Sequence, residues 1–275
     1  MGVEYLYLGD IGDNYEERKR LTVYRIREPD VRAGGYTSRS SGGVDRRVIP
    51  EADYDTLTLR VPDRPSNSEV MMIDPWTQAV YVITKEDGDI WRTTETWGEG
   101  DGTYFVPVVV DGGAGSDWIG YWILDWIGFI EEYMHMTRTA SRSDPLSPLF
   151  FAFALSPSSL SLPFAVFATA ATLKLEKVGQ VNHFDNELTG GDISRDGSEV
   201  LLRSYTSVYH FCRGTGEALE DVLSWEFGEI LPYEAEEQGE SVAFAPNKND
   251  GYYTLSESSG ERWVPLYHYR RREIS

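Results

Sequence analysis

Glu69-Val-Met-Met-Ile-Asp-Pro-Trp-Thr-Gln-Ala-Val-Tyr-Val-Ile-Thr-Lys85 is the stretch that decides the fold. It opens on an acid, runs through four apolar residues, turns at Asp74-Pro75, and returns through β-branched and aromatic residues to Lys85. Short apolar runs of this kind on either side of a turn rich in Asp, Pro and Thr spell a β-hairpin. The same plan recurs at Asp192-Ile-Ser-Arg-Asp-Gly-Ser-Glu-Val-Leu-Leu-Arg203 and at Glu240-Ser-Val-Ala-Phe-Ala-Pro-Asn-Lys-Asn-Asp-Gly-Tyr-Tyr-Thr-Leu-Ser-Glu257.

Working outward, each hairpin is followed by a short strand with an aromatic centre: Ile90-Trp91-Arg92, Val208-Tyr-His-Phe211 and Leu266-Tyr-His-Tyr269. Fourth strands are expected at 172–178 and 222–227. The opening residues supply three more strands, at 5–9, 21–26 and 56–61. Four antiparallel strands repeated with a drifting period are the signature of propeller blades. The predicted fold is therefore all-β: a β-propeller of four-stranded antiparallel blades, about four in number. The first blade is expected to lack its innermost strand and the last its outermost. Four blades is the low limit for closing such a ring, so the ring is read as incomplete. No secretory leader precedes Tyr5, and the abrupt start places the natural N-terminus upstream of Met1.

Residues 115–171 break the repeat, which divides the chain into propeller blades at 1–114, an insert at 115–171 and further blades at 172–275. Glu240 lies 48 positions after Asp192, whereas Asp192 lies 123 after Glu69. Removing roughly 57 residues brings the longer spacing to about 66, near that of a blade with a loop. Within the insert, the run Pro145-Leu-Ser-Pro-Leu-Phe-Phe-Ala-Phe-Ala-Leu-Ser-Pro is dominated by Phe, Leu, Ser and Pro, which share pyrimidine-rich codons. It reads as an intron translated in frame. A membrane span over 145–173 is the rival, since no charge lies between Asp144 and Lys174. Pro157, Pro163 and the serines between Ser147 and Ser161 make a poor helix interior and count against it.

Composition narrows the function classes. With 25 Lys+Arg against 45 Asp+Glu, the net charge is −20. That excludes phosphate-backbone recognition and disfavours an anionic membrane surface. It leaves small polar or cationic ligands and metal ions open; oligomeric state is not legible. The single cysteine, Cys212, rules out an internal disulfide and is expected to be a buried small apolar residue.

Several motifs resemble a known family: Leu8-Gly-Asp-Ile-Gly-Asp-Asn14 with Arg18, Val23-Tyr24-Arg25, Glu28-Pro29, Ile73-Asp74-Pro75, Thr84-Lys85, Thr189-Gly-Gly-Asp-Ile-Ser194 and Gly239-Glu240. Together they look like a family of microbial, often exported propeller proteins, distantly similar to the phytase-like and gluconolactonase/paraoxonase-like propellers. Relatives usually carry an additional N-terminal blade and an acidic Trp-Glu-Asp strand that this sequence does not show. The resemblance implies a propeller with a polar central mouth and supplies no substrate.

The repeat itself points to a site. In an antiparallel hairpin the start of the first strand and the end of the second lie together. Glu69, Asp192 and Glu240 are expected to open the innermost strands, and Lys85, Arg203 and Glu257 to close the next ones. Symmetry would gather these six around one mouth of the channel, joined by Asp10, Asp13 and Asn14 from the first blade. Asp10, Asp13, Asn14, Glu69, Asp192 and Glu240 offer the oxygen ligands a calcium ion wants, with Lys85, Arg203 and Glu257 as ligand-binding neighbours. The competing reading of the same residues is structural: local side-chain turns and ion pairs between blades.

Catalysis has thinner support. His183 is the one candidate general base, and neither a Gly-x-Ser-x-Gly elbow nor a His-Glu-x-x-His helix is present. The sequence therefore reads as a ligand-binding or scaffold propeller with an acidic, calcium-binding mouth; the alternative is a metal-assisted esterase or phosphoesterase.

Overall fold

Burial along each strand reveals its neighbours. In the computed structural model, which describes residues 5–27, 54–61, 66–97, 107–109, 170–257 and 264–271, strands β4 (Ser68–Ile73) and β5 (Val80–Thr84) are buried at every position. Their successive side chains feed two different cores. Val70, Met72, Tyr81 and Ile83 enter one cluster; Met71, Ile73, Val80 and Val82 enter another. A strand packed on both faces reads as a continuous apolar run, which is why Val-Met-Met-Ile and Val-Tyr-Val-Ile carry no alternation. Strand β3 (Tyr54–Arg60), packed on one face, buries Leu57 and Leu59 and alternates as expected.

The remaining described strands are β1 (Tyr5–Asp10), β2 (Arg20–Arg27), β6 (Asp89–Thr93), β7 (Pro107–Val109), β8 (Ala170–Gln180), β9 (Leu188–Ile193), β10 (Glu199–Ser204), β11 (Val208–Cys212), β12 (Glu229–Ile230), β13 (Gly239–Phe244), β14 (Tyr252–Ser256) and β15 (Leu266–Tyr269). One sheet runs β4-β5-β6-β8-β3-β2-β1-β7, a second β9-β10-β11-β12, and a third β13-β14-β15. The chain is thus mostly β, in meanders whose sequential strands pair antiparallel.

Two pairings depart from the expected pattern. Strand β8 runs antiparallel to β6 through Leu175–Gln180, as a fourth strand should, but its first half runs parallel to β3 and fuses two meanders into one sheet. Strand β7 lies parallel to β1, along the edge that the sequence left open. Apart from Ala170 and Ala171, which open β8, the insert at 115–171 lies outside the described residues, as does the apolar run within it. No helix among the described residues is long and apolar enough to cross a membrane.

Of residues 222–227, expected as a strand, the first four lie in helix α1 (Leu219–Trp225). Leu219, Val222 and Leu223 fall at i, i+3 and i+4 and bury one face against the core that holds Leu202, Tyr209 and Phe211. Glu220 and Asp221 occupy the first turn, where negative charge complements the helix dipole. The fourth strand of that sheet is instead the two-residue β12, paired with β11. Cys212, expected inside, is exposed at the end of β11.

Each sheet packs on the next. One core joins β4–β6 to β9–β11 and α1, another joins the same strands to β1–β3, and a third joins Leu201 and Val208 to Val242, Phe244 and Tyr252. Strand β9 lies between β4 and β13. Glycine enables the closest approaches: the Cα of Gly190 faces the Glu240 carbonyl, and any Cβ at Gly191 would press on Val70.

Candidate functional site

The three inner hairpins share one irregularity. Pairing runs from Ser68↔Thr84 to Val70↔Ile83, from Leu188↔Ser204 to Gly190↔Arg203, and from Gly239↔Ser256 to Ser241↔Leu255. One residue of the inner strand is skipped each time: Glu69, Thr189 and Glu240. A bulge breaks the regular alternation and re-aims the side chain of the extra residue. Just beyond the partner strands come Lys85, Tyr205 and Glu257. The amides of Lys85 and Glu257 bond back to the carbonyls of Asn67 and Gln238, so both hairpins continue by the same step.

These residues meet. Lys85 Nζ donates to Glu69 Oε1 at 2.7 Å and to the Tyr205 hydroxyl oxygen at 2.9 Å, and lies 3.6 Å from Glu187 Oε2. The Tyr205 hydroxyl bonds in turn to Glu240. Thr189 Oγ1 donates to the Gly239 carbonyl at 2.7 Å, tying β9 to β13.

The electrostatics follow from burial. Glu240 is pushed up to about 8, first by loss of solvent and then by the charges of Glu69 and Glu257, with Lys85 and Tyr205 pulling the other way. Burial lowers the Lys85 ammonium, but its bonds to Glu69 and Tyr205 outweigh that and hold it above its ordinary range. The Tyr205 phenol is raised to about 12 by burial, with the Lys85 bond opposing and the charges of Glu240 and Glu69 adding. Four carboxyl groups, of Glu69, Glu187, Glu240 and Glu257, thus share one ammonium, and burial favours the protonated form of Glu240.

The structure distributes the sequence-predicted residues among different places. Glu69, Lys85, Glu240 and Glu257 come together as expected. Asp192 does not open its strand; it lies near the other end of β9, opposite Leu201, in the position that Met72 and Ala243 take in the neighbouring sheets. There its Oδ1 accepts the Ile193 amide and its Oδ2 the Phe244 amide, both at 2.8 Å. Full burial raises Asp192 to about 7 against those two bonds. Arg203 is likewise displaced: it takes the place of Ile83, two residues before the position equivalent to Lys85. It is fully buried, donating to the Ser241 carbonyl at 2.8 Å and to Glu236 Oε2 at 3.1 Å, with its guanidinium 4.9 Å from the Tyr233 ring centre. A Cβ at Gly239 would strike that guanidinium.

Asp10 forms a two-pronged pair with Arg18, at 2.7 and 2.9 Å. Asp13 caps a turn, accepting the amides of Glu17 at 3.1 Å and Arg18 at 2.7 Å. Asn14 accepts from the Asn67 side chain at 2.8 Å, and Asn67 Oδ1 accepts the Asp13 amide at 2.8 Å. The loop after β1 is therefore stitched to the residue before β4, beside Glu69 but occupied with local bonds. Among the described residues, no group of three or more His, Cys, Asp or Glu side chains is arranged to hold a metal ion. His183 is exposed and lies beside Phe227, their ring centres 5.8 Å apart.

Thr189, Tyr205 and Glu187 were missed by matching acids to acids. A better signal was present. The turn-opening amides of Asp74, Ser194 and Ala245 each bond across their turn, to Ala79, Glu199 and Gly251. Counting back five residues from each lands on Glu69, Thr189 and Glu240.

At the far end of the same hairpins, turns lock successive sheets together. Arg213 forks onto Asp74 at 2.7 and 3.1 Å, both buried, and lies 4.0 Å over the Trp76 ring. Trp76 Nε1 donates to the Asp196 carbonyl at 2.7 Å.

No protein-family model matches the chain, and no curated protein matches it. Among solved structures it is similar to Hsv2 of Kluyveromyces lactis, at 9% sequence identity and a TM-score of 0.29, over 98% of this chain and 62% of that one. The chain thus spans 62% of that protein's length, and a likeness of this size carries no argument about the site.

Proposed function

We propose that the sheets are blades of a β-propeller, with β4, β9 and β13 facing its axis, and that the mouth at Glu69, Lys85, Tyr205, Glu240 and Glu257 binds a small positively charged ligand without chemistry. The observation that carries this reading is the meeting of two of the bulged positions, Glu69 and Glu240, with residues that close the partner strands, Lys85, Tyr205 and Glu257. Bulges cost ladder bonds, and equivalent ones that bring Glu69 and Glu240 to one ammonium are a feature of a site more than of a seam. Four carboxyl groups around one ammonium leave negative charge in surplus, and Lys85 serves as an internal counter-ion. An incoming cation competes with Lys85 for Glu69 and with the proton for Glu240.

Calorimetric titration of the full chain with calcium and, separately, with a simple primary amine tests the proposal. Saturable binding that releases a proton near pH 7 and is lost in a Glu69→Gln, Glu240→Gln double variant supports it. The two arms distinguish a metal ion from an ammonium group. Absence of binding for both at millimolar concentration refutes it and assigns the cluster to inter-blade bonding alone.

A further inference from the structure

Trp225, Phe227 and Ile230 stand 79, 73 and 66% exposed, side by side in sequence at the end of α1 and in β12. Large apolar groups clustered this way on a surface mark interaction sites more often than isolated ones do. Among the described residues β12 is the last strand of its sheet, with no strand paired to its outer edge. The Leu231 amide turns inward to the Val208 carbonyl, at 2.9 Å. By the alternation of an antiparallel ladder, Ile230 presents its own amide and carbonyl to the open side. A free edge flanked by apolar side chains is the platform that strand addition uses.

Charge selects the occupant. From residue 214 to residue 247 the chain carries nine acidic residues and no Lys, Arg or His. Asp221, Glu226 and Glu229, close in sequence to the three apolar residues, are exposed, Glu229 with His210 Nδ1 at 3.9 Å. A second copy of this chain would bring the same acidic rim against itself, at a net charge of −20 per molecule. An anionic membrane is repelled for the same reason. What remains complementary in both respects is a cationic chain with apolar residues between its charges.

We propose that the β12 edge docks an extended, Lys- or Arg-rich segment of a partner protein, its apolar residues seated on Trp225, Phe227 and Ile230 and its cations beside Glu226 and Glu229.

Fluorescence anisotropy with a labelled eight-residue peptide of alternating Lys and Val tests this on the full chain, with an alternating Glu and Val peptide as the control. The Lys peptide is expected to bind saturably and the Glu peptide not at all. A Trp225→Ser, Phe227→Ser variant and a Glu226→Gln, Glu229→Gln variant should each weaken binding about tenfold or more. Both alter exposed side chains, and an unchanged unfolding temperature verifies that each still folds. Raising salt from 50 to 300 mM should weaken the Lys peptide as well. The proposal is overturned if the Lys peptide fails to bind at millimolar concentration, or if neither variant changes its affinity. It is equally overturned if sedimentation shows a dimer that the Trp225→Ser, Phe227→Ser variant dissolves, or if the patch binds anionic phosphatidylserine vesicles instead.

Discussion

Replacing Glu240 by Gln should remove a pH dependence that the wild-type chain carries. Glu240 titrates near 8 in the folded protein, raised by burial and by Glu69 and Glu257, against an ordinary value of 4.5. A carboxyl raised in this way keeps its proton when folded and loses it when unfolded. Its contribution is therefore fully present below about pH 4.5 and is lost as pH rises through about 8. The window spans roughly 3.5 pH units, and each unit is worth about 1.4 kcal/mol, so up to about 5 kcal/mol disappears across it. Gln keeps the carbonyl acceptor for Tyr205 but cannot titrate. Urea unfolding of both proteins at each pH from 4 to 9 gives the difference directly. That difference should favour the variant by about 1.4 kcal/mol more per pH unit through the window and stay flat outside it. Asp192, which also titrates high, is present in both proteins and cancels. Parallel curves would refute the reasoning, because they would mean that Glu240 ionises as freely when folded as when unfolded.

Two further substitutions probe the opposite end of the hairpins. Arg213→Met leaves Asp74 as a buried carboxylate without its cation, so denaturant unfolding should show a loss of about 3–5 kcal/mol, with much of it recovered in an Asp74→Leu, Arg213→Met double variant. Gly197 sits at φ +74°, where a Cβ would also meet the Trp76 indole, so Gly197→Ala should cost about 1–3 kcal/mol by the same assay.

The hairpins were legible because their determinants are local. Asp74 accepts the Trp76 amide and the Thr77 hydroxyl two and three residues on, and Asp196 does the same for Ser194 and Ser198. The apolar runs on either side then have nowhere to go but back along each other. The helix at Leu219–Trp225 was a near miss of the same kind. Its apolar residues also fit a strand, and the choice fell to helix because Leu219, Val222 and Leu223 find Leu202, Tyr209 and Phe211, which are distant neighbours in space.

By itself the sequence determined the mostly β class, the three equivalent hairpins and the acids and the lysine at the ends of two of them. Which residues meet was decided only by tertiary structure. Asp192 and Glu69 look alike as acids at the head of an apolar run, yet the bulged position equivalent to Glu69 is Thr189, three residues earlier, and Asp192 is sealed between two backbone amides. Arg203 and Lys85 look alike as cations that close a strand, yet Tyr205 takes the place equivalent to Lys85 and Arg203 turns to Glu236. The reason is the two-residue period of a strand: an alignment offset of three residues, too small to disturb the apolar pattern, still exchanges the side chains of one sheet face for those of the other.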